Sequence, residues 1–249
     1  MFLKLIACSI FQRELSRLLA DTPHVVDVDF VAIAEHHAPE RLRAMLQSRI
    51  DAPPPAHPRE GERAYDAVLL AYGICGNAAT GLAARAAPLV IPRAHDCATV
   101  LLGSRAAFLA HFGECPSHPF GCVGYCERGY NNCVGEHDGR PISDPEYEKY
   151  LAEYGEENAR YLWETMHPPV EDGRALFITT PPTRGHAAEA AFRADAGREG
   201  LEYVEIEGRM DMLDALVNGP WDDADFLTVP PGHKIHAVYD QGQVMVARP

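Results

Sequence analysis

The chain has 249 residues, 47% of them apolar and 23% charged, enough to bury a sizeable core as one large domain or two small lobes. Its formal charge of −14 excludes sequence-independent nucleic-acid binding, which needs a basic face against the phosphates. No apolar run approaches the roughly 20 residues that span a bilayer, and seven cysteines, an odd number, argue for metal, redox or buried thiols over a disulfide framework.

Residues 2–7 form a short apolar run that reads as a buried strand. Leu5-Ile6-Ala7-Cys8 looks like a lipoprotein cleavage box, but too few residues precede it for the charged and apolar regions of a signal peptide. The protein is therefore expected to be cytoplasmic. Residues 11–20 have helical spacing, and residues 25–34 alternate around Asp27 and Asp29 as a strand does. Residues 39–50 predict an amphipathic helix with Leu42, Met45, Leu46 and Ile50 on one face and arginines elsewhere, Pro39 suiting its first turn. A stiff proline-rich loop follows at 52–58. Residues 65–72 predict a strand running into Cys75, residues 89–92 a strand running into His95 and Cys97, and residues 99–112 a helix.

Residues 113–144 are rich in Gly, Pro and Cys and have no regular period. Residues 145–166 predict a long helix, with Ser143 and Glu146 placed as a capping box. Tyr147, Tyr150, Leu151, Tyr154, Tyr161 and Leu162 make a broad stripe on it, suited to core packing or an interface with another chain, a second copy included. Alternation then resumes: strands at 175–179, 201–206 and 226–229, helices at 187–196 and 210–217, and a closing hairpin of 235–239 and 244–247. This β–α alternation predicts an α/β fold with parallel doubly wound sheets, arranged as two Rossmann-like lobes joined by a Cys-rich loop and a long helix. The expected division is an N-terminal lobe of residues 1–112, a linking segment of 113–170 and a C-terminal lobe of 171–249.

Three cysteines, Cys8, Cys75 and Cys97, follow apolar strands and precede predicted helices. Ligands of open parallel sheets bind beyond the carboxyl ends of the strands, where these cysteines would converge. Thiolates are soft ligands for zinc or an iron–sulfur cluster, and three protein ligands leave one position open to substrate. His95 is a fourth ligand or a base near a thiol, and His95 with Asp96 would serve as proton-transfer groups. The competing reading makes all three ordinary buried thiols. Gly73, Gly76, Asn77 and Arg93 complete a candidate ligand-binding edge: the glycines allow close backbone approach, and Asn77 would cap a following helix whose N–H groups face an anion. A second cluster, Cys115, Cys122, Cys126 and Cys133, lies in the irregular loop, where a metal would supply stability that packing does not, with His118 and His137 as spare ligands. The pairs His36-His37 and His233/His236 read as solvated. No Ser-His-Asp order, HExxH or GxSxG is present.

Four stretches together carry a family resemblance. They are Tyr72-Gly73-Ile74-Cys75-Gly76-Asn77; Ile91-Pro92-Arg93-Ala94-His95-Asp96-Cys97 with Gly103-Ser104-Arg105; Tyr154-Gly155-Glu156-Glu157-Asn158-Ala159; and Glu207-Gly208 through Trp221 to Pro230-Pro231-Gly232. With Cys8 and Arg13-Glu14-Leu15, they resemble the bacterial and archaeal family known as domain of unknown function 1638. Cys8, Cys75, His95 and Cys97 fit its pattern; the cysteine-dense loop departs from it. The resemblance implies an association with corrinoid-dependent methyl transfer and one-carbon metabolism. The expectation is thus a metal- or iron–sulfur-dependent enzyme acting on a small polar metabolite of one-carbon, sulfur or methylated-amine metabolism. The alternatives are a non-catalytic accessory partner of a corrinoid methyltransferase and a protein with structural zinc only.

Overall fold

The structure, a computed structural model, describes residues 1–33, 39–55, 64–75, 77–116, 118–129, 145–166, 172–238 and 244–249, the side chains of 145–149 and 161–166 excepted. Gly76, His36, His37, Cys133, His137 and Ser143 lie outside the described residues, so the readings made of them stand only as expectations.

The chain is α/β, and its larger sheet is mostly parallel, as the alternation predicts. Strands β1 (Phe2–Cys8), β2 (Val25–Val31), β3 (Ala67–Ala71), β4 (Leu89–Pro92) and β8 (Phe226–Val229) lie side by side in the order β2-β1-β3-β4-β8. The first four are parallel, with Ala7 opposite both Phe30 and Ala71, and β8 closes the edge antiparallel to β4. The helices of this unit are α1 (Gln12–Asp21), α2 (Pro39–Asp51), α3 (Cys97–Leu101), α4 (Arg105–Phe112) and α8 (Asp211–Asn218). Leu42, Leu46 and Ile50 of α2 bury against Ile6, Val68, Leu70, Leu89 and Ile91, one face of the pleat. Helix α8 packs on β3 and β4 and touches α1, while its buried Leu213, Leu216 and Val217 stand outside that cluster. Apolar side chains thus cover the sheet from both faces. Buried Lys4 points to the α2 face and donates to the Arg49 and Ala52 carbonyls, closing the C-terminal end of α2.

Three sequence expectations change. Between β3 and β4 no helix forms among the described residues. Residues 77–81 make turns, and residues 81–84 pair with the chain at 232–235: Gly81 N–H donates to Ile235 O at 2.8 Å, Ile235 N–H to Leu82 O at 2.9 Å and Ala84 N–H to His233 O at 3.0 Å. Strands β9 (Lys234–Ala237) and β10 (Met245–Arg248) form the predicted antiparallel hairpin, and this hairpin occupies the place of a crossover helix. The helix predicted at 99–112 is two helices, broken at Gly103, whose φ of +78° ends the first. The long helix α6 (Pro145–Met166) is interrupted at Gly155 (φ 75°, ψ 168°), and Tyr154 beside the break is exposed; of the expected stripe, the side chains of Tyr147, Tyr161 and Leu162 lie outside the described residues.

The packing also divides the chain differently from the expected order. One unit comprises Met1–Glu114, Thr180–Arg184 and Glu207–Pro249, because α8, β8 and the hairpin return to the first sheet. The other comprises Cys115–Thr179 and Gly185–Ile206. It contains β5 (Phe120–Cys122), α5 (Val123–Cys126), α6, β6 (Arg174–Thr179), α7 (Ala187–Arg198) and most of β7 (Glu202–Glu207). Its sheet has the order β5-β6-β7, with β5 and β6 parallel and a small core of Val123, Phe177, Phe192 and Ala196.

Candidate functional site

In the larger sheet the chain leaves β1 toward β2 on one side and returns to β3 on the other. The order of strands therefore reverses between β1 and β3, the position at which an open α/β sheet forms its ligand crevice beyond the carboxyl ends. Cys8 is the last residue of β1, and Tyr72-Gly73-Ile74-Cys75 continues from β3. Cys8 and Cys75 pack against the α2-side core. They are close enough to interact electrostatically: burial first, and then the neighbouring Cys8, pushes the Cys75 thiol up to about 12. Tyr72 lies at the same place. It is 4% exposed, and its hydroxyl has no hydrogen-bond partner among the described residues. Burial raises its pKa well above the ordinary phenol value, with Cys8 and Cys75 adding to the rise.

The turn after β3 is tightly bound to the turn after β4. Ile74 N–H donates to Ala94 O at 3.0 Å and Cys75 N–H to His95 O at 3.2 Å. A Cβ on Gly73 would stand 2.8 Å from Asp96 N and 2.9 Å from Ala94 O, so glycine is what permits the approach. Cys75 (φ 46°) and Asn77 (φ 70°) both take left-handed backbone, which turns the chain sharply. Asn77 caps no helix; its carbonyl instead accepts from Arg43 Nη2 at 2.9 Å.

The β4 side of the edge is assigned differently from its sequence reading. Asp96 caps α3, its Oδ1 accepting from Thr99 N–H at 3.1 Å and Thr99 Oγ1 at 3.2 Å. His95 is exposed, with Nδ1 3.5 Å from Asp96 Oδ2 and its ring stacked 6.4 Å from that of Phe108. Asp96 raises the His95 pKa against the opposing effect of burial. Arg93 does not reach the crevice as a free cation: its guanidinium is 7% exposed as a residue and donates to the carbonyls of Asp223, Phe226 and Met245. It clamps β4 to β8 and β10. Cys97, the first residue of α3, does not complete a three-cysteine centre. Among the described residues no three His, Cys, Asp or Glu side chains gather as a metal-holding group. Cys8 and Cys75 offer two thiols to a soft ligand, and among the described residues no third ligand joins them for a three-thiolate zinc or a cluster.

Over residues 30–217 of 249 the chain matches a family described as "Protein of unknown function (DUF1638)". It belongs to that family. No curated protein and no solved structure matches it. The stretch that matches DUF1638 includes Cys75, His95, Asp96 and Cys97 and begins after Cys8.

The loop cysteines of this DUF1638 member lie in the smaller unit. Cys122 ends β5 and is buried; Cys126 ends α5, and burial pushes its thiol up to about 11. With Cys115 they form no metal-holding group among the described residues. His118 is not a spare ligand. It is buried, with Nδ1 2.7 Å from Pro119 O and Nε2 2.9 Å from Asp172 Oδ2. Arg174 donates to the same Asp172 carboxylate at 2.8 Å. Burial opposes ionisation of Asp172, but the Arg174 and His118 hydrogen bonds hold its pKa below the ordinary value.

Sequence reasoning missed Tyr72 as a polar group, and missed that Arg43 holds the turn at Asn77. An arginine on the polar face of an amphipathic helix carries no local signal that separates a residue tied to a turn from a solvated one.

Proposed function

We propose that the crevice between the ends of β1 and β3 is an active site for a small polar metabolite. Cys8 and Cys75 act in it as a thiol pair that takes a soft ligand, a metal ion being the first candidate. The observation that carries this reading is that Cys8 at the end of β1 and Cys75 in the turn after β3 lie near enough to interact, with a buried Tyr72 hydroxyl that has no hydrogen-bond partner among the described residues, at the reversal of strand order. Ligation would replace the protons on both thiols, and a thiol as weakly acidic as Cys75 makes that exchange strongly pH-dependent. His95 is the exposed proton carrier of the edge, and Asp96 is the group that favours its charged form. The substrates suggested by the family resemblance, in one-carbon, sulfur or methylated-amine metabolism, are the first to assay.

The test is anaerobic titration with Co²⁺, read by thiolate-to-cobalt charge-transfer absorption in the near ultraviolet. The band is expected in wild type, growing with pH, and lost in Cys8→Ser and Cys75→Ser proteins that retain their circular dichroism. It is expected to survive Cys97→Ser; loss there would reinstate the three-cysteine centre. A folded wild-type protein with no band removes metal ligation from this reading.

A further inference from the structure

The Tyr72 hydroxyl is buried without a hydrogen-bond partner among the described residues, on the strand next to the one that ends at Cys8. We infer that Tyr72 is a positioning residue of the thiol pair, whose hydroxyl donates a hydrogen bond to Cys8 once that thiol has lost its proton.

Strand register makes the two residues neighbours. Ile6 lies opposite Leu70 and Ala7 opposite Ala71; Cys8 then ends β1 and Tyr72 follows β3. Adjacent parallel strands run about 4.8 Å apart. Alternation puts both side chains on one face of the sheet. Ile6 and Leu70 belong to the α2-side core, and two residues on, Tyr72 belongs to it and Cys8 packs against it. Cys75 packs against the same core from the turn after β3. The charged neighbours of the phenol are Arg49 and Asp29. These two are paired with each other, Arg49 Nε standing 3.0 Å from Asp29 Oδ2, and the Tyr72 hydroxyl bonds to neither.

The chemistry gives this hydroxyl a partner in one state of the site. A thiol sulfur is a weak acceptor, and an ionised group accepts far more strongly. A buried O–H without an acceptor is costly, and a thiolate formed beside it removes that cost. Tyr72 itself keeps its proton. Burial, then Cys8, then Cys75 raise its pKa well above the ordinary phenol value, with Arg49 and Asp29 acting in opposite directions. It therefore stays a donor through the range in which thiols ionise. The Cys8 proton leaves to solvent, and the sulfur keeps the electron pair for a metal or an electrophile. This role of Tyr72 deepens the proposed function and rests on it for the thiol pair, but not for the metal.

Alkylation by iodoacetamide without metal, followed at the Cys8 peptide by mass spectrometry from about pH 6 to about pH 10, tests it. The pH of half-maximal rate should rise by at least about one unit in Tyr72→Phe, the tenfold loss of thiolate that follows from losing a hydrogen bond to a charged group. Urea unfolding at neutral pH should find Tyr72→Phe at least as stable as wild type, because the variant removes a buried hydroxyl that lacks a partner. A merely structural tyrosine would give the reverse pair of results. Equal alkylation profiles overturn the role of Tyr72, even in a protein that forms the cobalt–thiolate band. A Tyr72→Phe protein less stable than wild type also overturns it, since the hydroxyl would then be bonded already in the resting fold. A shifted profile with stability retained upholds it; if that protein gives no cobalt–thiolate band, metal ligation alone is removed.

Discussion

At the scale of single residues, burial beside Cys8 makes Cys75 an unusually weak acid. Its thiol ionises near 12 in the folded chain, against an ordinary value of 9.0, because the thiolate would lose solvent and face Cys8. Below pH 9 both the folded and unfolded chains hold the proton, and the contribution to stability is fully present. Above it the unfolded chain ionises first, so stability falls as pH rises toward 12. At pH 10.5 the loss from this group alone is about 2 kcal/mol, from 1.36 kcal/mol per pKa unit. Lys4, whose pKa is lowered chiefly by burial, contributes a pH dependence of opposite sign, but it is present in wild type and variant alike. Urea unfolding at pH 8 and pH 10.5 should show Cys75→Ala losing about 2 kcal/mol less than wild type across that interval. Equal losses would mean that the thiol is not held protonated. The cysteine itself was legible, since its segment ends an apolar run, but its acidity depends on burial beside a residue far away in the chain. The same holds for Arg93, which looked like a ligand because it follows a strand, and which tertiary contacts engage with the carbonyls of Asp223, Phe226 and Met245.

At the scale of elements, the site depends on two loops touching backbone to backbone. Gly73 makes that contact possible, and every atom nearest its missing Cβ belongs to the backbone of Ala94 or Asp96, which cannot swing aside as a side chain would. Gly73→Ala should therefore separate the turns after β3 and β4 and weaken the Ile74–Ala94 and Cys75–His95 hydrogen bonds. The expected cost is about 1–3 kcal/mol in urea unfolding. Amide exchange at Ile74 and Cys75 should accelerate beyond that at Leu69 in the middle of β3. Uniform acceleration would show a general loss of stability instead. The strands were readable because fully apolar runs such as 67–71 and 89–92 have few alternatives. The segment after Cys75 was not, since Ala78-Ala79 and Ala83-Ala84 favour a helix and only pairing with residues 232–235 overrides them. Gly103 and Gly155 were visible in the sequence, but an isolated glycine within a helical pattern is tolerated often enough that neither announces a break.

At the scale of the whole molecule, the larger unit is built from three separate pieces of chain, and its last piece is integral to the core. Ile235 and Met245 are fully buried in the same cluster as Ile6, Leu46 and Leu70, and β8 covers the open edge of β4 with Phe226, Leu227 and Val229 buried. Arg93 adds a polar tie by donating to Phe226 and Met245 carbonyls. The sequence suggested instead that residues 1–112 close on themselves, because a short buried strand such as 226–229 reads alike in either sheet, and nothing local reports that it pairs antiparallel with β4. The two organisations differ in what a fragment does. Residues 1–112 alone would expose the edge of β4, the α2-side core under the hairpin and the surface that α8 covers. They should aggregate or lack dispersed amide resonances. Coexpression with residues 207–249 should restore a soluble complex with dispersed resonances, since that segment supplies α8, β8 and the hairpin together. A 1–112 fragment that folds cooperatively by itself would show the C-terminal segment to be an accessory layer. The carboxyl edge of β1 and β3 would then be complete without Met245 holding Arg93. Failure alone with rescue in trans would place the C-terminal segment among the supports of the crevice, because residues 81–84, which continue the Cys75 turn and carry Arg43's contact at Gly81, are held by strand β9.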